Sequence, residues 1–300
     1  MATAVEKKDD DLLDPGFLSR IEQLEIVSRK IFAGKMRGER RSKRKGESVE
    51  FADYRNYVVG DDLRFLDWNI YARLDRLFLK LFLEEEDLHV SLLIDASRSM
   101  DWGSPAKLKY AKQIAAALAY IGLSNYDRVS LYGYANGLVA EMAGLRGKRL
   151  MARAVDFLRN LPGEGVSNLA AACKQYAVRH PQPGVLLVIS DFLEKGGFEQ
   201  GLRYLLGRNL DLYCVQVLSP DEVNPQLAGD LRLVDVEDDD VAEITVSQAL
   251  LHRYRQTLRA FCESLREYCT RRGVAYLFTS TDVGFDQVIL SYLRQRGLLR

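Results

Sequence analysis

The chain has 300 residues, 47% of them hydrophobic, which suits one large α/β domain or one domain with an appendage. Lys plus Arg and Asp plus Glu are equal at 42 each, so no net field draws the whole protein to nucleic acid or anionic lipid. No run reaches about 18 apolar residues, and the amino terminus lacks the apolar core of a signal peptide, so a cytoplasmic protein without a transmembrane segment is expected.

The first region, 1–45, reads as an N-terminal helix and a basic linker. Asp14-Pro15 opens a helix expected to reach about Phe32, with Phe17, Ile21, Leu24, Ile26 and Ile31 on its apolar side. The run 35–45 then carries Lys35, Arg37, Arg40, Arg41, Lys43, Arg44 and Lys45. It is either a contact for an acidic partner or nucleic acid, or a solvated loop balanced by the acidic run 84–87. No aromatic residues interleave it to stack on bases, so no nucleic-acid partner is expected.

Residues 46–86 read as a small β-rich subdomain of short strands and turns. Gly60-Asp61-Asp62 is a turn and Phe78–Leu83 a strand. Asp53, Arg55, Asp61, Asp62, Arg64, Asp67 and Arg73 recur among aromatic residues. They form either Asp–Arg pairs that fix a subdomain with little core, or a functional surface. Trp68, among Phe65, Leu66, Ile70 and Tyr71, is expected to be buried.

From 87 to 300 strands and helices alternate, which implies an α/β fold with a doubly wound, mostly parallel sheet. Strands are expected at 90–94, 127–134, 137–142, 184–190, 210–218 and 274–279, with a second hairpin over 231–246. Asn136-Gly137 is a hairpin turn, which makes 137–142 an antiparallel edge. Helices are expected at 105–122, 147–160, 168–179, 198–207, 248–272 and 285–296. Cys214 falls in a strand and Cys173, Cys262 and Cys269 in helices, without a CxxC pair, as buried thiols would. His89, His180 and His252 are far apart and make no base or metal motif.

Chemistry concentrates where these strands end. The apolar run Val90–Ile94 stops in Asp95-Ala96-Ser97-Arg98-Ser99, a carboxylate and two hydroxyls at alternating positions. A second apolar strand ends in Ser190-Asp191, and the Gly-rich turn Gly163-Glu164-Gly165-Val166-Ser167 puts a hydroxyl at the mouth of a helix. Ligands of open parallel sheets sit beyond such carboxyl ends. Asp95, Ser97, Ser99, Ser167 and Asp191 offer hard oxygens only, which suits Mg²⁺ or Mn²⁺ rather than zinc. Asp and Ser are also favoured helix caps, which is the alternative reading of the first cluster.

The constellation DxSxS, a later loop hydroxyl and a later Asp resembles the metal-ion-dependent adhesion site of von Willebrand factor A domains. Asp95, Ser97, Ser99 and Asp191 match that pattern, and Ser167 stands where it has Thr. Ser lacks the methyl group that stiffens χ1. A denser resemblance runs through Glu50-Phe51-Ala52-Asp53-Tyr54-Arg55 and Gly60-Asp61-Asp62-Leu63-Arg64-Phe65-Leu66-Asp67-Trp68-Asn69 to Tyr71-Ala72-Arg73. It is similar to the bacterial domain-of-unknown-function family 58, whose members carry a von Willebrand A-like domain. The resemblance implies that domain, in a Rossmann-like sheet, and a genomic habit of lying beside MoxR-type AAA+ ATPases.

No GxGxxG, GxxxxGKS or GxSxG motif is present, which argues against dinucleotide, P-loop and serine-hydrolase chemistry. The expected function is a non-enzymatic interaction module that binds Mg²⁺ (or Mn²⁺) and a carboxylate from a protein partner, with a MoxR-type AAA+ ATPase as that partner. The alternative is a metal-dependent phosphoesterase-like hydrolase using Asp95 and Asp191, for which the sequence identifies no general base.

Overall fold

The computed structural model describes residues 12–28, 50–83, 88–237 and 240–300. They fall into two compact units, one drawn from 1–37 and 88–300, the other from 38–87. The basic run 35–45 and the acidic run 84–87 lie outside the described residues.

In the larger unit, helix α1 (Pro15–Ile21) starts at Asp14, whose side chain accepts from the Phe17 amide at 3.2 Å. The helix is shorter than the expected 14–32. Beyond it the chain extends: Glu25 and Arg300 exchange backbone hydrogen bonds, and the Val27 amide donates to the Leu298 carbonyl. This pairing with the carboxyl-terminal segment competes with further helix and leaves Ile26 fully buried.

In the smaller unit, β1 (Glu50–Asn56) pairs antiparallel with a later strand, and helix α2 (Trp68–Leu74) lies between them in sequence. The partner strand is β2 (Phe78–Leu83). The helix corrects the expectation of strands and turns alone. Asp67 caps it, accepting from the Asn69 and Ile70 amides at 2.9 and 3.1 Å. Trp68 is 61% exposed, against the expectation of burial. Leu66 and Leu79 take the small interior, and the indole meets only the edge of Tyr71 among the aromatic rings described. Arg55 pairs with Asp61 at 2.7 Å and Arg64 with Asp62 at 2.6 Å, as expected of the charged residues. Asp67 instead takes Lys80 at 3.1 Å and the Tyr54 hydroxyl at 3.0 Å.

The rest of the larger unit runs β3 (His89–Asp95), α3 (Lys107–Ser124), β4 (Arg128–Ala135), β5 (Gly137–Arg146), α4 (Met151–Arg159), α5 (Leu169–Arg179), β6 (Gly184–Ser190), α6 (Glu199–Leu206) and β7 (Leu210–Leu218). It continues through α7 (Pro220–Val223), β8 (Gly229–Val234), β9 (Val241–Val246), α8 (Gln248–Arg271) and β10 (Ala275–Ser280), then a wide helical turn over 285–293. The short α7 was not expected from sequence, although Ser219 and Glu222 form a capping box there.

This is a mixed α/β structure with a central six-stranded sheet in the order β5-β4-β3-β6-β7-β10. Every neighbouring pair is parallel except β4 and the edge strand β5. Helices cover both faces, so β3, β6 and β7 are buried along nearly their whole length. One core gathers Ile114, Leu118 and Ile121 of α3 with Leu92 and Ile94, and also takes in Phe17, Ile21 and Ile26. The other packs Cys173, Leu202, Leu265 and Cys269 against Leu93, Leu186 and Val188. At the starting edge of the sheet Gly184 lies against β3, where a Cβ would overlap the His89 backbone oxygen.

Strand order reverses between β3 and β6. Chain order runs outward from β3 through β4 to β5 on one side, and from β6 through β7 to β10 on the other. A crevice at the carboxyl ends of the strands belongs at such a switch point.

Candidate functional site

All five residues singled out from sequence meet at that switch point. Asp95 ends β3 with its carboxylate fully buried, and Oδ1 accepts from the Ser97 amide at 3.0 Å. Ser97 begins a 3₁₀ turn, Arg98–Asp101, but its hydroxyl makes no capping bond. Instead Ser97 Oγ and Ser99 Oγ lie 3.1 Å apart. The alternating spacing therefore aims two hydroxyls at one place rather than closing a helix end.

The Gly163–Asn168 loop is stitched to the start of this turn and to the end of β4 by backbone bonds. The Glu164 amide donates to Ala96, the Arg98 amide to Gly165, and the Asn168 amide to Ala135. Gly165 adopts φ +87°, a conformation that glycine reaches without steric cost. Ser167 Oγ then lies 3.3 Å from both Asp95 Oδ2 and Glu194 Oε2.

Asp191 follows β6 directly. Its Oδ1 accepts from the Leu193 amide at 3.0 Å, and its Oδ2 lies 3.5 Å from Ser99 Oγ and 2.5 Å from Lys107 Nζ. Phe192, next in sequence, is buried with φ 59°, an outlier for a bulky side chain. Its amide donates to Ser190 Oγ at 2.9 Å, which helps to hold that turn.

Sequence reasoning did not single out six further residues. Ser190 and Tyr134 donate to Asp95 Oδ2 at 2.6 and 3.0 Å. Glu194 accepts from the Leu169 amide at 2.7 Å, at the amino end of α5, where the helix dipole favours an anion. Glu237, in the β8–β9 turn, accepts from the Ser167 amide at 3.2 Å. Lys107 is 1% exposed and reaches Asp191 together with Glu222, the latter at 2.6 Å. A lysine in the first turn of the helix expected at 105–122 was the available signal, and so was a serine directly before Asp191.

The electrostatics follow from this packing. Burial, and then the charge of Asp191, push the Asp95 carboxyl up to about 6. Burial also raises Glu194. Burial alone would depress the Lys107 ammonium, but Asp191 and Glu222 outweigh it and hold the group above its ordinary value. Asp95, Asp191, Glu194 and Glu237 thus bring four carboxylates to the cluster, with Lys107 against Asp191.

Among the described residues, no three His, Cys, Asp or Glu side chains converge as a ready metal cluster. A cation here would depend on hydroxyls. The donor set fits: cis ligands of an octahedral Mg²⁺ at 2.0–2.1 Å are about 3 Å apart, and the Ser97 and Ser99 oxygens are separated by 3.1 Å.

Several known proteins are similar to this chain. The "Uncharacterized protein Rv1480" of Mycobacterium tuberculosis is 26% identical over 298 residues, covering 96% of this chain and 93% of that protein. "Uncharacterized protein Mb1516" of Mycobacterium bovis matches to the same extent. Among solved structures, the conserved hypothetical protein BatB of Bacteroides thetaiotaomicron aligns at 14% identity with a TM-score of 0.46, over 70% of this chain and 98% of that one. An aerotolerance-related membrane protein of Bacteroides fragilis aligns at 16% identity with a TM-score of 0.45, over 69% and 99%. The family model described as "Protein of unknown function DUF58" matches residues 53–264, well over half of the chain, and the protein belongs to that family.

Proposed function

We propose that the larger unit is a von Willebrand A-like interaction module whose switch-point cluster binds Mg²⁺ or Mn²⁺ and a carboxylate from a partner protein. The observation that carries the proposal is convergence. Three hydroxyls and two carboxylates from three separate strand-to-helix junctions come together at hydrogen-bond spacing. In this reading Ser97, Ser99 and Ser167 would hold the cation directly, Asp95 and Asp191 would hold its waters, and one position would be left for a partner's Asp or Glu. The cation would bridge two acidic surfaces that otherwise repel. This chain's own part is to aim the hydroxyls, hold Asp95 in place through Ser190 and Tyr134, and neutralise Asp191 through Lys107. The resemblance noted from sequence puts a MoxR-type AAA+ ATPase first among partners to test.

Calorimetric titration of Mn²⁺ into chelator-stripped protein tests the reading. Binding is expected to be lost in Asp95→Ala while circular dichroism stays native. No binding at millimolar cation would refute the site. The hydrolytic alternative predicts Mn²⁺-dependent turnover of p-nitrophenyl phosphate that Asp95→Ala abolishes; the interaction module predicts none.

A further inference from the structure

Beside the cluster stands a hairpin that the proposed function does not use. Most side chains of β8 and β9 are exposed to solvent. Leu233, Val234, Val236 and Val241 are among the exposed apolar residues. Two fastenings hold its turn. Lys195, from the loop that also carries Glu194, pairs with Asp235 at 3.2 Å and Asp240 at 3.6 Å. Glu237 reaches the Ser167 amide at 3.2 Å, and its own amide donates to Asp235 Oδ1 at 2.8 Å, which aims the carboxylate. Both loops that receive the hairpin belong to the cluster.

We infer that the hairpin is a strap: Glu237 occupies the mouth of the site in the free protein, and a partner's acid engages only after displacing it. This rests on the reading of the site as one that accepts a partner carboxylate. The physical reason is competition. Ser167 gives its hydroxyl to the cluster and its amide to Glu237, and two carboxylates at one mouth repel each other. A site that is open for only a fraction of the time binds with its affinity reduced by that fraction. The strap's exposed apolar strip would then be free to meet the partner once the turn lifts.

Hydrogen exchange of the full chain in chelator tests the fastening without any metal. Glu237→Ala should speed exchange of peptides from 229–246 by about tenfold, the loss expected for one charge-assisted contact. Lys195→Ala should speed it by a few-fold, as befits exposed ion pairs, while leaving every cluster carboxylate in place. Unchanged exchange in both variants would overturn the strap. In Mn²⁺-loaded protein, acetate should bind Glu237→Ala roughly tenfold more tightly than wild type; equal affinities would overturn the competition. If neither protein bound Mn²⁺, the metal reading would fall and exchange alone would decide the strap. Normal Mn²⁺ binding with unchanged exchange would remove the strap and spare the metal reading.

Discussion

Lys107 Nζ lies 2.5 Å from Asp191 Oδ2, and both side chains are almost wholly withdrawn from water. The ammonium also holds Glu222 at 2.6 Å, so one cation from α3 ties the end of β6 to the start of α7. An ion pair this deep is not a source of net stability in itself, since desolvation offsets the attraction. Its consequence is that neither partner can be removed cheaply.

Lys107→Met should therefore destabilise the protein by about 3 kcal/mol in chelator, because it leaves a buried carboxylate uncompensated. Urea denaturation measures this. Added Mg²⁺ should restore part of the loss if a cation settles beside Asp191. A variant as stable as wild type would mean that solvent reaches the pair.

The metal-free protein should lose stability as pH rises from about 4 to above 6. Burial raises the folded-state pKa of Asp95 to about 6 from 3.8. The folded state thus binds the extra proton between those values, and ionising the group in place costs on the order of 2–3 kcal/mol. The thermal midpoint in chelator should fall across that window, and Asp95→Asn should flatten the slope. A midpoint that rises from pH 4 to pH 7 with no difference in the variant would contradict the burial argument.

Ser167→Thr should tighten Mn²⁺ binding a few-fold, because the added methyl group narrows χ1 and holds the hydroxyl towards Asp95. Ser167→Ala should weaken it. Calorimetry of the two variants side by side checks the sign, and a weaker Thr variant would show that the loop has no room for the methyl.

Replacing residues 38–87 with a ten-residue Gly/Ser linker should leave the larger unit cooperatively folded. Ser28 donates to Asp211 at 2.6 Å at the start of β7, while Leu88 precedes β3. Those two strands are separated only by β6, a gap of roughly 10 Å that such a linker spans. Removing residues 1–28 as well should cause aggregation, because Phe17, Ile21 and Ile26 belong to the core. Solubility and a single urea transition in the first variant check this.

Much of this architecture was readable because burial leaves a pattern. The apolar runs of β3, β6 and β7 and the Asn136-Gly137 turn announce themselves, and a hydroxyl or acid directly after such a run is where a switch point puts ligands. The losses came where tertiary partners decided. The segment after Ile21 extends because the distant residues 298–300 pair with it, and no local signal reports that. Trp68 turned outward because Leu66 and Leu79 filled a small interior first. Glu237 reached the cluster through a hairpin whose strands are mostly solvent-facing, so its acid looked like any surface charge.

The bare backbone at Gly184 sets how closely β3 and β6 can run. These are the strands that carry Asp95 and lead to Asp191, seven residues, or roughly 20 Å, further along. A single methyl at position 184 would push the two strands apart beside His89 and shift one against the other. The acids would then be misaligned without any group near them having changed. The geometry that matters at one end of the sheet is thus gauged at the other, and damage to it would be invisible to an inspection confined to the ligands.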